Sequence, residues 1–172
     1  MPSPRVSFLA AVVLLLVAAS ASPSSAEAIP VELVREGDGW RLMRGGEPFY
    51  VNGAGGDGDK ALLAAAGGNS FRTWGVDETT QAKLDEAHRL GLAVTVGIWL
   101  GHERHGFDYS DPAQLAQQLD KVREAVLRYR DHPAVLAWAL GNEMEGFAAG
   151  ESEAIWRHVQ ACAALVKQLD PH

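Results

Sequence analysis

Apolar and polar positions along this chain follow two periods in turn. Apolar runs bounded by glycine or polar residues fall at 70–74, 92–100 and 134–141, each of a length suited to a β-strand. Between them, apolar residues recur at three- and four-residue spacing, the mark of a helix with one buried stripe. Residues 79–90 form one such helix, with Leu84 and Ala87 inward and Gly91 closing it. A second carries Leu115, Leu119, Val122, Val126 and Tyr129. A third runs from about residue 152 to Leu169, with Ile155, Val159, Cys162, Val166 and Leu169 on one face. Asp111-Pro112-Ala113-Gln114 has the form of a helix start, with a capping side chain, proline in the first turn and glutamine three residues on. Upstream, 31–34 and 40–43 read as short strands. Residues 44–47 read as a turn and 49–52 as a further strand. A glycine-rich loop at 53–58 and a short helix at 60–66 follow.

Strand and helix thus alternate four times with short connections, which implies right-handed βαβ units and a parallel sheet. The predicted class is α/β: about four βα units, the N-terminal half of a (β/α)8 barrel, preceded by a short β-hairpin. A full barrel takes about 250 residues, against 172 here. The chain ends at Asp170-Pro171-His172, where a fifth strand is due, so the expectation is a barrel domain over 29–172 truncated after its fourth unit. Such a half leaves two strand edges and an inner face open. That predicts marginal stability alone, or self-association of the half-barrel.

The first residues read as a leader. Arg5 is followed by an apolar run at 8–19, about the length of a signal-peptide core and short of the ~20 residues of a membrane span. Small residues follow, with cleavage expected near Ala26 or Ala28. An uncleaved anchor is the alternative. The reading is a signal peptide over 1–28 and a secreted or periplasmic protein with no membrane partner after cleavage. The net charge of -7 disfavours a nucleic-acid partner. One cysteine, Cys162, allows no internal disulfide, and its place on an apolar stripe marks it as a buried thiol.

The run 134–141 reads as a parallel strand buried on both faces, and Asn142-Glu143 follows at its carboxyl end, beside Trp138. In α/β folds that is where active sites are built. A glutamate there suits a proton donor or a nucleophile. On pattern alone it suits equally a carboxylate that starts a helix. Arg72 closes a strand and reads as a charge clamp or as an ordinary ion-pair partner. Trp74 and Trp99, at the ends of the second and third strands, offer indole faces to a sugar or pack in the core. His102 follows the third strand within reach of substrate hydroxyls. His102, Glu103 and His105 lack the His-Glu-x-x-His spacing and have no further ligands nearby, so no metal and no cofactor is expected.

The segment His132-Pro133-Ala134-Val135-Leu136-Ala137-Trp138-Ala139-Leu140-Gly141-Asn142-Glu143 resembles the fourth-strand signature of glycoside hydrolase clan A. It is most similar to the barrel domain of family two, the β-galactosidase and β-glucuronidase group. Gly68-Asn69-Ser70-Phe71-Arg72-Thr73 is similar to that family's second strand, and Gly46-Glu47-Pro48-Phe49-Tyr50-Val51-Asn52-Gly53 to its entry strand. The resemblance implies a retaining hydrolase or transglycosylase acting on a β-linked oligo- or polysaccharide. It implies Glu143 as acid/base, Asn142 on the sugar 2-hydroxyl and Arg72 beside the charge of the nucleophile. The family's nucleophile is a glutamate on the seventh strand, which these residues do not include. The family's N-terminal sandwich domains are not expected in these residues, where only a short hairpin precedes the barrel, which suits a compact relative nearer to β-mannanases or β-1,3-glucan-processing enzymes.

Two other readings compete. A non-catalytic remnant would keep Trp74, Trp99 and Asn142 as a sugar platform. A dinucleotide binder would use Gly53-Ala54-Gly55-Gly56-Asp57-Gly58, which matches G-x-G-x-x-G, with Asp77 about twenty residues on. Asp57 would then set a carboxylate against the pyrophosphate, and the helix that follows is short.

Overall fold

The computed structural model describes residues 27–145 and 153–172. The leader run and the predicted start of the last helix at Ser152 lie outside the described residues. Among these residues no helix is long and apolar enough to cross a membrane.

Two sheets form. Strands β1 (Val31–Glu36), β2 (Gly39–Arg44) and β3 (Glu47–Pro48) make an antiparallel sheet in that order. The second sheet is parallel, in the order β4 (Gly53–Gly55), β5 (Ser70–Arg72), β6 (Ala93–Ile98), β7 (Val135–Leu140). Helices α1 (Lys60–Ala65), α2 (Thr80–Arg89) and α3 (Pro112–Tyr129) connect its strands, and α4 (Glu153–Leu169) follows. The predicted alternation is therefore what the chain folds into: four βα units of a barrel, after a hairpin. The hairpin meets the amino ends of the strands, where Arg44 Nη2 donates to the Pro133 carbonyl at 2.8 Å. The expected cap of α3 forms: Asp111 accepts from the Ala113 amide at 2.8 Å and from Gln114 Nε2 at 3.0 Å.

Two strand assignments change. Residues 49–52 are not a strand, and the first parallel strand is instead Gly53–Gly55, within the segment expected to be a loop. Side chains take the hydrogen bonds that a ladder would need. The Asn52 amide donates to Asn69 Oδ1 at 2.9 Å, and Asn69 Nδ2 donates to the Tyr50 carbonyl at 2.7 Å. Gly53 then pairs with Ser70 so closely that any Cβ on it would overlap the Ser70 carbonyl oxygen. This also removes the dinucleotide reading. Gly53 and Gly55 lie inside a strand rather than in the phosphate-binding turn, and Asp57 is paired to Lys83 at 3.0 Å. The second change concerns β7. Only Val135 and Leu136 are buried; Ala137 is exposed, and Trp138 to Leu140 are half-buried. Among the described residues β7 pairs with one strand, β6, and it is β6 that is buried on both faces.

The two faces of the parallel sheet differ in kind. Register aligns Phe71, Val94 and Val135 on one face, with Val96 beside Trp138 and Ile98 beside Leu140 further up. Leu84 and Ala87 of α2, Val122 and Val126 of α3, and Cys162 and Val166 of α4 cover that face. Each large side chain fully buried there contributes roughly 1.5–3 kcal/mol. Cys162 is fully buried, and desolvation pushes its thiol up to about 11. The opposite face aligns Gly53 with Ser70 and Ala93, then Gly55 with Arg72, Thr95 and Ala137. It is built of small residues around one arginine. An irregularity in pairing between Val94 and Thr95 leaves Leu136 as an extra residue in β7. That bulge puts Trp138 on the helix side. Its Nε1 donates to Asp170 Oδ2 at 2.6 Å, so Trp138 is a packing residue and not a neighbour of Glu143's carboxyl.

Candidate active site

The carboxyl ends of β5, β6 and β7 bring the predicted site residues into one chain of contacts. Arg72 is the last residue of β5, half-buried on the small-residue face. Its Nη2 donates to the Gly141 carbonyl at 3.3 Å and to Asn142 Oδ1 at 3.4 Å. Its guanidinium carbon lies 4.2 Å from the ring centroid of Trp74, and that indole folds back over Gly55. The Arg72 Nε is buried and makes no hydrogen bond among the described residues. Arg72 is thus held by weak, long contacts and keeps a donor in reserve.

Beyond β7 the chain turns sharply. Gly141 has φ 71°, and a side chain on it would strike Met144. Asn142 is half-buried and Glu143 is exposed. Glu143 has φ 48°, the left-handed region, and no other non-glycine residue among those described has a positive φ. Holding a glutamate there costs of order 1–3 kcal/mol, a strain found mostly at functional positions. Glu143 therefore stands at the rim of the parallel sheet, and the residues before it are strand, not helix.

His102, just past β6, is 4% exposed. Burial lowers its pKa most, and the charges of Arg104 and His105 lower it further; the Asn142 backbone and Glu143 act in the opposite sense. It is neutral near pH 7, and its Nε2 has no hydrogen-bond partner among the described residues. The ring stacks on Trp99 at 4.9 Å with 5° between planes, and also on His105 at 5.6 Å. Trp99 is 46% exposed and Trp74 44%, so both indoles lie on the surface near the site rather than in the core. The loop that carries His102 is clamped at Gly101. Its amide donates to Gln118 Oε1 at 2.6 Å, and its carbonyl accepts from the Tyr109 hydroxyl at 2.6 Å.

Two residues of the site escaped the sequence reading. Glu145 and Trp156 share a cavity of about 400 Å³ with Asn142 and Glu143, and Trp156 Nε1 donates to Glu145 Oε1 at 2.8 Å. The available signal was an aromatic residue set one position off the apolar stripe of α4. His105, weighed only as a metal ligand, completes the ring stack. Among the described residues no group of His, Cys, Asp and Glu is arranged to hold a metal ion.

Comparison with known proteins identifies the family. The sequence profile of Glycosyl hydrolases family 2, TIM barrel domain, matches residues 59–172. The chain belongs to that family. It is 28% identical over 153 residues to the probable mannan endo-1,4-β-mannosidase C of Aspergillus terreus, covering 76% of this chain and 38% of that protein. The chain thus spans well under half the length of this relative. Among solved structures, a β-glucuronidase from Ruminococcus gnavus bound to uronic deoxynojirimycin superposes with a TM-score of 0.59 at 19% identity, over 83% of this chain and 26% of that one. An exo-chitosanase from Amycolatopsis orientalis gives 0.52 at 20% identity, over 81% and 18%. At these identities the structural likeness establishes the fold.

Proposed function

We propose that this chain carries the proton-donating half of a retaining glycosidase that cleaves β-linked oligo- or polysaccharides. The observation that carries the reading is Glu143, held in a left-handed backbone conformation at the sheet rim, next to Asn142 and the arginine that reaches it. In the first step Glu143, protonated, gives its proton to the glycosidic oxygen as the bond from that oxygen to the anomeric carbon breaks. A second carboxylate attacks the carbon from the opposite face. In the second step Glu143 takes a proton from water, or from a sugar hydroxyl, and the oxygen so released displaces the enzyme carboxylate. Asn142 meets the 2-hydroxyl, where hydrogen bonding strengthens in the transition state. Arg72 steadies the attacking carboxylate, which we assign to the seventh strand of the barrel, beyond the four strands present here. Trp74, Trp99 and His102 line the sugar site, His102 through the ring stack it shares with Trp99.

The relatives named above include a mannosidase and a β-glucuronidase, so the β-linkage is the shared feature and the sugar is left open. The apolar run at 8–19 supports export to the periplasm or medium. The test is Glu143→Gln in a protein that carries the seventh-strand carboxylate. Turnover of aryl β-glycosides is expected to fall by about 10²–10⁴; an unchanged rate would reject the assignment. Retained sugar binding in a wild-type protein with no turnover would favour the platform reading instead.

A further inference from the structure

The cavity that holds Glu143 has one wall with no role in the mechanism above. Trp156 stands near the start of α4, off the buried stripe of Ile155, His158 and Cys162, and is 45% exposed. The core makes no use of this indole. Its one polar group is already taken, because Nε1 donates to Glu145 Oε1. That bond ties the ring to the loop bearing Glu143. What the ring has left to offer a ligand is an apolar face, in a cavity of about 400 Å³ shared with Asn142 and Glu143.

We propose that Trp156 is the platform of a leaving-group subsite that takes a neutral pyranose. The inference rests on Glu143 being the proton donor. A donor meets the glycosidic oxygen, so the departing sugar lies beside it, and Trp156 is the aromatic surface sharing its cavity. The charge of the cavity selects the sugar. Glu145 lines it beside the proton donor, so a uronate there would set a second carboxylate against Glu145, whereas a neutral ring meets only the cost of desolvating hydroxyls. Trp156 touches no reacting atom, so it sets which chains bind and not how the bond breaks.

Calorimetric titration of the protein with β-1,4-linked mannotriose and with a β-1,4-linked uronic acid trimer tests this without turnover. Wild type is expected to bind mannotriose more tightly than the uronate trimer. Trp156→Ala is expected to weaken mannotriose binding about tenfold, and Trp156→Phe to restore most of it. Glu145→Gln should narrow the gap between the two trimers. Equal mannotriose affinity in wild type and Trp156→Ala, or no binding by wild type, would overturn the subsite. Failure of the catalytic reading shows separately, as unchanged hydrolysis in Glu143→Gln, so the two results are distinguishable.

Discussion

The helix-covered face of the parallel sheet and its opposite face are made from the same strands yet obey different rules. On the covered face Phe71, Val94, Val96 and Val135 meet Leu84 and Ala87, and Ile98 meets Val122 and Val126, with almost no exposure. On the other face Gly53, Gly55, Ser70, Thr95 and Ala137 surround Arg72. Large apolar side chains supply stability where helices exclude water. Small ones leave room for an arginine, an asparagine and a folded-back indole to converge at the strand ends. Stability and chemistry are thus assigned to alternate residues of one strand, as the two-residue period of a strand allows.

This contrast can be broken or sharpened in three ways. The largest effect is expected on the covered face. Leu84→Ala, at 1% exposure, should cost about 2–5 kcal/mol in chemical denaturation. A loss below about 1 kcal/mol would mean that this face does not carry the stability. At the rim the sign should reverse. Glu143→Gly relieves the left-handed backbone and should raise stability by up to about 1 kcal/mol. A drop in stability would show that the turn is held by the glutamate side chain.

The smallest effect is a pH dependence. His102 and His158 both have pKa values lowered mainly by burial, so the fold favours their neutral forms. Below the ordinary histidine value, near 6.5, the unfolded chain binds protons that the fold refuses. Stability is therefore full above that pH, is lost as the pH falls through the window beneath it, and levels off below the folded values. His158→Gln should flatten the slope, as read from denaturation midpoints between pH 7 and 5. An unaltered slope would place the dependence elsewhere.

Much of this was readable along the chain. The three-and-four spacing of Leu115, Leu119, Val122 and Val126, and the Asp111 cap, define α3 by local geometry. The run ending in Asn142-Glu143 located the rim, because a strand followed by glycine and polar residues has few other meanings in an alternating fold. The misplacement of the first parallel strand has a plain cause. Apolar character pointed to 49–52, but the choice was made by Asn69, seventeen residues away from Asn52 in sequence, and by how closely two backbones approach at Gly53. The wall formed by Trp156 was missed for the same reason, since nothing near it in the sequence names Glu145 as its partner.

Periodicity, capping and the order of strands and helices are local or nearly local properties, and the amino-acid sequence determined them by itself: the α/β class, the helices, and the position of Glu143 after a strand. Only the tertiary structure decided where the first parallel strand lay, which face stayed small, that Leu136 bulges and sends Trp138 to the helices, and that Arg72 reaches Asn142. Those depend on register and on contacts between residues dozens of positions apart, where backbone approach and packing, rather than local preference, select among strands of similar composition.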